Sequence, residues 1–107
     1  MTLEIGFANI ENMHCSSAIS ILRQIKPVLI KKYQVSQLGV FGSTARNEAL
    51  PTSDVDVLVE VDPSIGLRFV DLAMEIESAL GLPADVVSHR AIDDARWKAI
   101  EPDIAYA

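Results

Sequence analysis

The chain has one cysteine, Cys15, so no internal disulfide can form, and its Cys and His positions give no zinc-ligand spacing. Positive charge is sparse: nine Lys and Arg stand against fifteen Asp and Glu, a net charge of −6. That balance argues against direct binding of nucleic acid, which needs cations to displace counterions from the phosphates. It leaves a nucleotide ligand open, because bound metal ions can supply positive charge locally. No apolar run approaches the roughly 18 residues of a membrane span, and the N-terminus lacks the basic start and apolar core of a secretion signal. There is no repeat, low-complexity tract or linker-like stretch, and 107 residues are too few for a second domain. The expectation is one cytoplasmic domain over residues 1–107, with its core at about 16–100.

What is present is a half-hydrophobic chain, 50% by composition, ample for a packed core. Leu3, Ile5 and Phe7 alternate like a short strand, weakened by Gly6 and Asn9. From about Ser16 to Tyr33, Ala18, Ile21, Leu22, Ile25, Val28 and Leu29 form a helical stripe, which Pro27 should kink or divide. Val35 to Phe41 reads as a strand stopped by Gly42-Ser43, and Thr44 to Leu50 as two helical turns before Pro51. Asp54 to Val61 alternates, with Val55, Val57, Val59 and Val61 on one face. Asp62-Pro63 reads as a cap and first turn opening a helix through Leu67, Val70, Met74, Ile76 and Leu80, closed by Gly81 and Pro83. Ala84 to Ser88 gives another strand, and Asp93 caps a last helix to about Glu101. Helices and strands alternate, so the fold class is α/β with a mixed sheet. Strand 54–61, its helix and strand 84–88 form a crossover with parallel strands. The earlier strand can pair antiparallel to 54–61, which gathers Ser43, Asp54, Asp56 and Asp85 at one edge of the sheet.

Asp54 and Asp56 lie two apart on a strand and share a face with Leu58 and Glu60. Neighbouring carboxylates repel unless a cation or a shared proton lies between them. Oxygen ligands without sulfur suit a hard ion such as Mg²⁺, which completes its shell with water and substrate phosphate. Asp-x-Asp alone also fits a half-buried strand with its polar face in water. Gly42-Ser43, between a strand and a helix start, can cradle a phosphate or simply make a tight turn. The composite, a phosphate cradle followed by a metal pair on the adjoining strand, is more specific than either part.

The stretch Val40-Phe41-Gly42-Ser43-Thr44-Ala45-Arg46-Asn47-Glu48-Ala49, with Ser53-Asp54-Val55-Asp56-Val57-Leu58-Val59, resembles the DNA polymerase β-like nucleotidyltransferases. Within them it is similar to the minimal nucleotidyltransferases (MNT), the antitoxin half of HEPN/MNT toxin–antitoxin pairs. The resemblance runs from about Ser16 to Ile100. It implies that Gly42 and Ser43 hold the triphosphate of ATP and that Asp54 and Asp56 bind Mg²⁺. It implies a third carboxylate on the next strand, for which Asp85 is the good match, positioning metal or deprotonating the acceptor. Arg46 matches a position often basic in the subgroup and would balance phosphate charge; Asn47 stands where glycine is expected, a residue that also tolerates a left-handed backbone. The implied reaction is attack of an acceptor hydroxyl on the α-phosphate of ATP, with two metal ions stabilising attacking and leaving oxygens. The implied acceptor is a tyrosine of a cognate HEPN ribonuclease toxin, held in a hetero-oligomer. Two other readings stay open: an antitoxin acting by steric masking alone, and a catalytic subunit that modifies a small molecule.

Other residues carry less. Ser53 can bond beside the carboxylates or form a turn, and His14 and His89 are isolated. Cys15 reads as a small hydrophobe at a helix start, and Trp97 as core or partner surface. Lys31, Lys32 and Arg90 read as solvated, and Glu75 and Glu77 as the wet face of their helix. Residues 103–107 are either an ordered end or a frayed one.

Overall fold

The computed structural model describes residues 13–50 and 52–107. The strand expected around Leu3, Ile5 and Phe7 lies outside the described residues, as does Pro51.

Helix α1 spans Cys15–Tyr33 and is closed by Gln34 in a left-handed conformation (φ 57°). Its inward stripe is Ala18, Ile19, Leu22, Leu29 and Tyr33, and Val28 turns out to solvent. Of the two outcomes expected at Pro27, division does not occur: the helix runs through it. A proline interrupts one backbone bond of a helix, and this one sits on an exposed side of a helix held by its packed stripe.

Strand β1 (Gln37–Phe41) runs into α2, a single turn over Gly42–Ala45. The two turns expected over 44–50 do not form. Asn47 takes a left-handed backbone (φ 57°) and ends the helix. Strand β2 (Val55–Glu60) is followed by a short 3-10 turn, Pro63–Ile65, capped by Asp62 through the Ser64 N–H at 2.8 Å. Helix α3 starts only at Arg68 and runs to Leu80, because Gly66 (φ 55°) breaks what looks in sequence like one helix from 63. Strand β3 (Ala84–Ser88) follows, then α4 (Asp94–Ile100), whose cap Asp93 accepts from the Arg96 N–H at 2.8 Å. The chain closes with β4, Ala105–Tyr106, an ordered strand where sequence left the choice open.

The four strands form one mixed sheet in the order β3-β2-β1-β4. β1 pairs antiparallel with β2 and β4, and β2 pairs parallel with β3. The valines of β2, with Val61 just beyond it, face α1 and α3 in the main core: Val55, Val57, Val59 and Val61 are all buried. The other face of the sheet is not simply wet. Leu58 is fully buried there with Phe41 and Ile92, under Trp97 and Ile100 of α4. That cover leaves the Asp54–Asp56 end of this face open. Among the described residues, no helix is long and apolar enough to cross a membrane.

The helix after β2 departs most from its sequence pattern. Its core side is Leu72, Ile76 and Leu80, whereas Leu67, Val70 and Met74, expected inside, are exposed. Val70 and Met74 lie on the side of α3 away from the core, and Leu67 just precedes the helix beyond the Gly66 break.

Candidate active site

The register places the carboxylates. Phe41 pairs with Asp56 across the antiparallel strands, and Asp56 pairs with Asp85 across the parallel ones. Asp54 immediately precedes β2, whose alternation puts it on the Asp56 side. Gly42, the residue after Phe41, lies against Asp56: a Cβ at position 42 would collide with the Asp56 carboxylate Oδ2. Gly42 also has φ 69°, in the region other residues avoid. Glycine is thus required here twice, by backbone conformation and by the carboxylate it supports. The sequence suggested a tight turn or the approach of a phosphate, and not the contact with Asp56.

Asp56 is partly buried, and its carboxyl is pushed above the ordinary range, first by burial and then by the negative charges of Asp85 and Asp54. Arg96 and Arg46 act in the opposite direction. Arg96, on α4, had no signal in the sequence beyond its type; packing of Trp97 and Ile100 on the Phe41–Leu58–Ile92 cluster brings its helix over the site. Among the described residues, no three acidic, Cys or His side chains stand already converged as a metal cage. The donor set nevertheless fits a hard cation. Asp56 is a partly buried carboxylate that feels the charges of two others, and a divalent ion relieves that repulsion.

The remaining candidates are placed as follows. Ser43 sits partly exposed in α2. A single helical turn has little macrodipole, so a phosphate here would be held by the free first-turn N–H groups and the Ser43 hydroxyl rather than by a helix end. Arg46 is engaged: its Nε donates to Glu48 Oε1 at 2.9 Å and its Nη1 to Asp103 Oδ2 at 3.2 Å. Those carboxylates raise the guanidinium's pKa, so it stays charged, but it is turned toward them. The Ser53 hydroxyl accepts from the Leu50 N–H at 3.0 Å, and the Ser53 N–H donates to the Leu50 carbonyl at 2.9 Å. Ser53 therefore closes the turn that delivers Asp54.

Asn47 has a role that glycine could not fill. Its Oδ1 accepts from the Cys15 N–H at 2.8 Å, capping α1, whose own N-cap His14 contributes no side-chain bond. The Thr44 hydroxyl, fully buried in α2, has no hydrogen-bond partner among the described residues. His89 is not isolated: it stacks on Trp97 with ring centroids 3.8 Å apart, and its Nδ1 lies 3.9 Å from Glu60. Glu75 is only partly exposed and pairs with Lys32 at 2.9 Å, so neither is simply solvated.

The chain is similar in sequence and in fold to known proteins. A family model described as "Nucleotidyltransferase domain" matches residues 22–105. Protein adenylyltransferase MntA of Thermococcus cleftensis is 37% identical over 89 residues, covering 81% of this chain and 89% of that protein. A Methanocaldococcus jannaschii protein, provisionally named a protein adenylyltransferase, is 40% identical over 88 residues, covering 80% of this chain and 90% of its own. A solved structure described provisionally as a minimal nucleotidyltransferase superposes with a TM-score of 0.72 at 25% identity, covering 87% of this chain and 95% of that one.

Proposed function

Because this chain belongs to the nucleotidyltransferase domain family, we propose that it is a protein adenylyltransferase that moves AMP from ATP to a hydroxyl of a partner protein. The observation that carries this reading is the placement of Asp85 beside Asp56, with Gly42 against the same carboxylate and Asp54 adjoining. The relatives' name, protein adenylyltransferase, supports a protein rather than a small molecule as acceptor.

Gly42 and Ser43 hold the triphosphate through backbone N–H groups and the Ser43 hydroxyl. Asp54, Asp56 and Asp85 hold Mg²⁺, which when bound neutralises charge on the phosphoryl oxygens. Asp85, exposed at the mouth, accepts the proton of the attacking hydroxyl. The new bond joins the acceptor oxygen to the α-phosphorus, and the bond from that phosphorus to pyrophosphate breaks. Arg96 and Arg46 lie near enough to Asp56 to temper the site's negative charge. Positioning and electrostatics supply the greater part of the acceleration.

The acceptor is a tyrosine of a HEPN ribonuclease toxin, and the modification silences it, which makes this chain an antitoxin. The test is to incubate the purified chain with ATP, Mg²⁺ and a purified HEPN protein from the same host. Mass spectrometry should find AMP on a HEPN tyrosine, and RNA cleavage by the HEPN protein should fall in parallel. Silencing of an unmodified HEPN protein would establish steric masking instead; AMP found only on a small molecule would remove the protein acceptor.

A further inference from the structure

β3 is an edge of the sheet, and it is the edge that carries Asp85. Its pairing with β2 fixes which way each peptide group points. The Val55 N–H donates to the Pro83 carbonyl at 3.0 Å, so Asp85 and Val87 turn their N–H and C=O groups toward β2. Ala84, Val86 and Ser88 turn theirs away from the sheet. The Ala84 N–H bears this out, since it donates to Glu77 Oε2 of α3 at 2.9 Å. The outward N–H groups of Val86 and Ser88 have no partner among the described residues. An open strand edge is normally blunted by proline, lysine or a bulge. β3 has none of these, and its one charge is the site's own Asp85. The opposite edge, β4, is two residues long and offers no comparable template.

The site is laid out across the strands in one direction. Gly42 follows β1, Asp56 stands on β2 and Asp85 on β3, each strand about 4.8 Å from the next. With the triphosphate at Gly42 and Ser43, an acceptor hydroxyl comes to Asp85 from beyond β3, the side that no other strand occupies. A segment laid along β3 as a fifth strand puts every second side chain on the face of Asp85 and Asp56, about 5 Å from the Asp85 side chain. Its intervening side chains turn to the helical face. There, beside the Ala84 end of the edge, Met74, Glu77, Gly81, Leu82 and Pro83 line a shallow depression of about 500 Å³. Met74, Leu82 and Pro83 give it apolar walls, a seat for one apolar side chain next to the acceptor residue. A second copy of this chain, pairing β3 with β3, would deliver no hydroxyl to the site, because Ser88 alternates with Asp85 and turns to the helical face. It would also set two Asp85 carboxylates on one shared face.

We infer that the protein acceptor presents its tyrosine on an extended segment that adds to the free edge of β3, pairing with the backbone of Val86 and Ser88. The tyrosine lies on the Asp85 face, and a residue next to it in the segment is apolar and fills the depression. This rests on the reading that the acceptor is a protein and that a tyrosine of it is modified.

The experiment uses the HEPN protein of the transfer assay as the probe. In the free chain, labelled for NMR, the Val86 and Ser88 amides should exchange fast with solvent and those of Asp85 and Val87 slowly. Excess HEPN protein should slow Val86 and Ser88 by roughly 10-fold or more. Val86→Pro removes one outward N–H and leaves the β2 ladder intact, because an edge strand tolerates proline where the N–H faces away from the sheet. It should raise KM for the HEPN protein about 10-fold, the scale of one or two backbone hydrogen bonds, with kcat and ATP affinity unchanged. Val86→Ala, which loses side-chain packing but keeps the N–H, should keep the wild-type KM. Unchanged exchange at Val86 and Ser88 in the complex would overturn the inference and leave the transfer reaction standing. So would a wild-type KM for the folded Val86→Pro variant, or a KM raised equally by Val86→Ala. A wild-type dimer that Val86→Pro converts to monomer, with transfer unaffected, would overturn it in favour of self-pairing. A wild-type chain that neither binds nor modifies the HEPN protein would overturn the inference and its premise together.

Discussion

Asp56 shows how a site residue acts against the stability of its fold. Its raised pKa means that the folded chain holds this proton more tightly than the unfolded chain does, so its favourable contribution is present below the ordinary carboxylate pKa. That contribution is lost as pH rises through the higher folded value. At neutral pH the ionised group is a cost. Asp56→Asn should raise the melting temperature of the metal-free protein and abolish transfer. Mg²⁺ should raise the wild type's melting temperature and leave the variant's unchanged; thermal scans with and without Mg²⁺ check both. Gly42→Ala should do the reverse of a stabilising change. With a Cβ driven into Asp56 and φ at 69°, it should cost about 1–3 kcal/mol and remove transfer, measured by urea unfolding beside the transfer assay. Asn47→Gly keeps the backbone freedom but loses the bond to Cys15, so it should cost about 1 kcal/mol in the same unfolding measurement, with transfer retained. The Gly-Ser and Asp-x-Asp pattern was legible at this scale because strand alternation and turn chemistry are local. The service of Asn47 to α1, 32 residues earlier, and the approach of Arg96 to Asp56 depend on tertiary packing and left no local trace.

At the scale of elements, strand identity was readable, as were the limits of α1 and α4, whereas those of α2 and α3 were not. β2 is the clearest case: period-two valines admit one face and one pairing, and the strand stands within a residue of its expected ends. β4 was missed because two residues carry no period; it exists because β1 offers an edge, extended by the Ala107 N–H donating to the Leu38 carbonyl at 2.7 Å. α3 misled because it has two apolar sides, and hydropathy cannot say which one meets the sheet. Leu72, inward, decides it. α4 matters to the site as a cover: it buries Leu58 on the face where Asp56 lies. Asp93→Ala removes its cap and should cost about 0.5–2 kcal/mol. Hydrogen exchange should show the added opening concentrated at 94–100 rather than in β1 or β2.

For the whole molecule, the sheet separates two tasks. The valine face, with α1 and α3, carries the large core. The other face is covered at one end by α4 and open at the carboxylate end. This division explains how a chain of 107 residues keeps three carboxylates at one mouth: the stability comes from the opposite face. The proposed reaction is transfer of AMP, with its α-phosphorus, to protein through the Asp54–Asp56 site. The direct measurement is parallel incubation with α-labelled and γ-labelled ATP and Mg²⁺, comparing wild type with the Asp54→Ala/Asp56→Ala variant and the HEPN protein as acceptor. The account predicts protein-bound label from α-labelled ATP with wild type only, and γ-label released as pyrophosphate. Equal α-labelling by the folded double variant, or γ-label retained on protein, would contradict it.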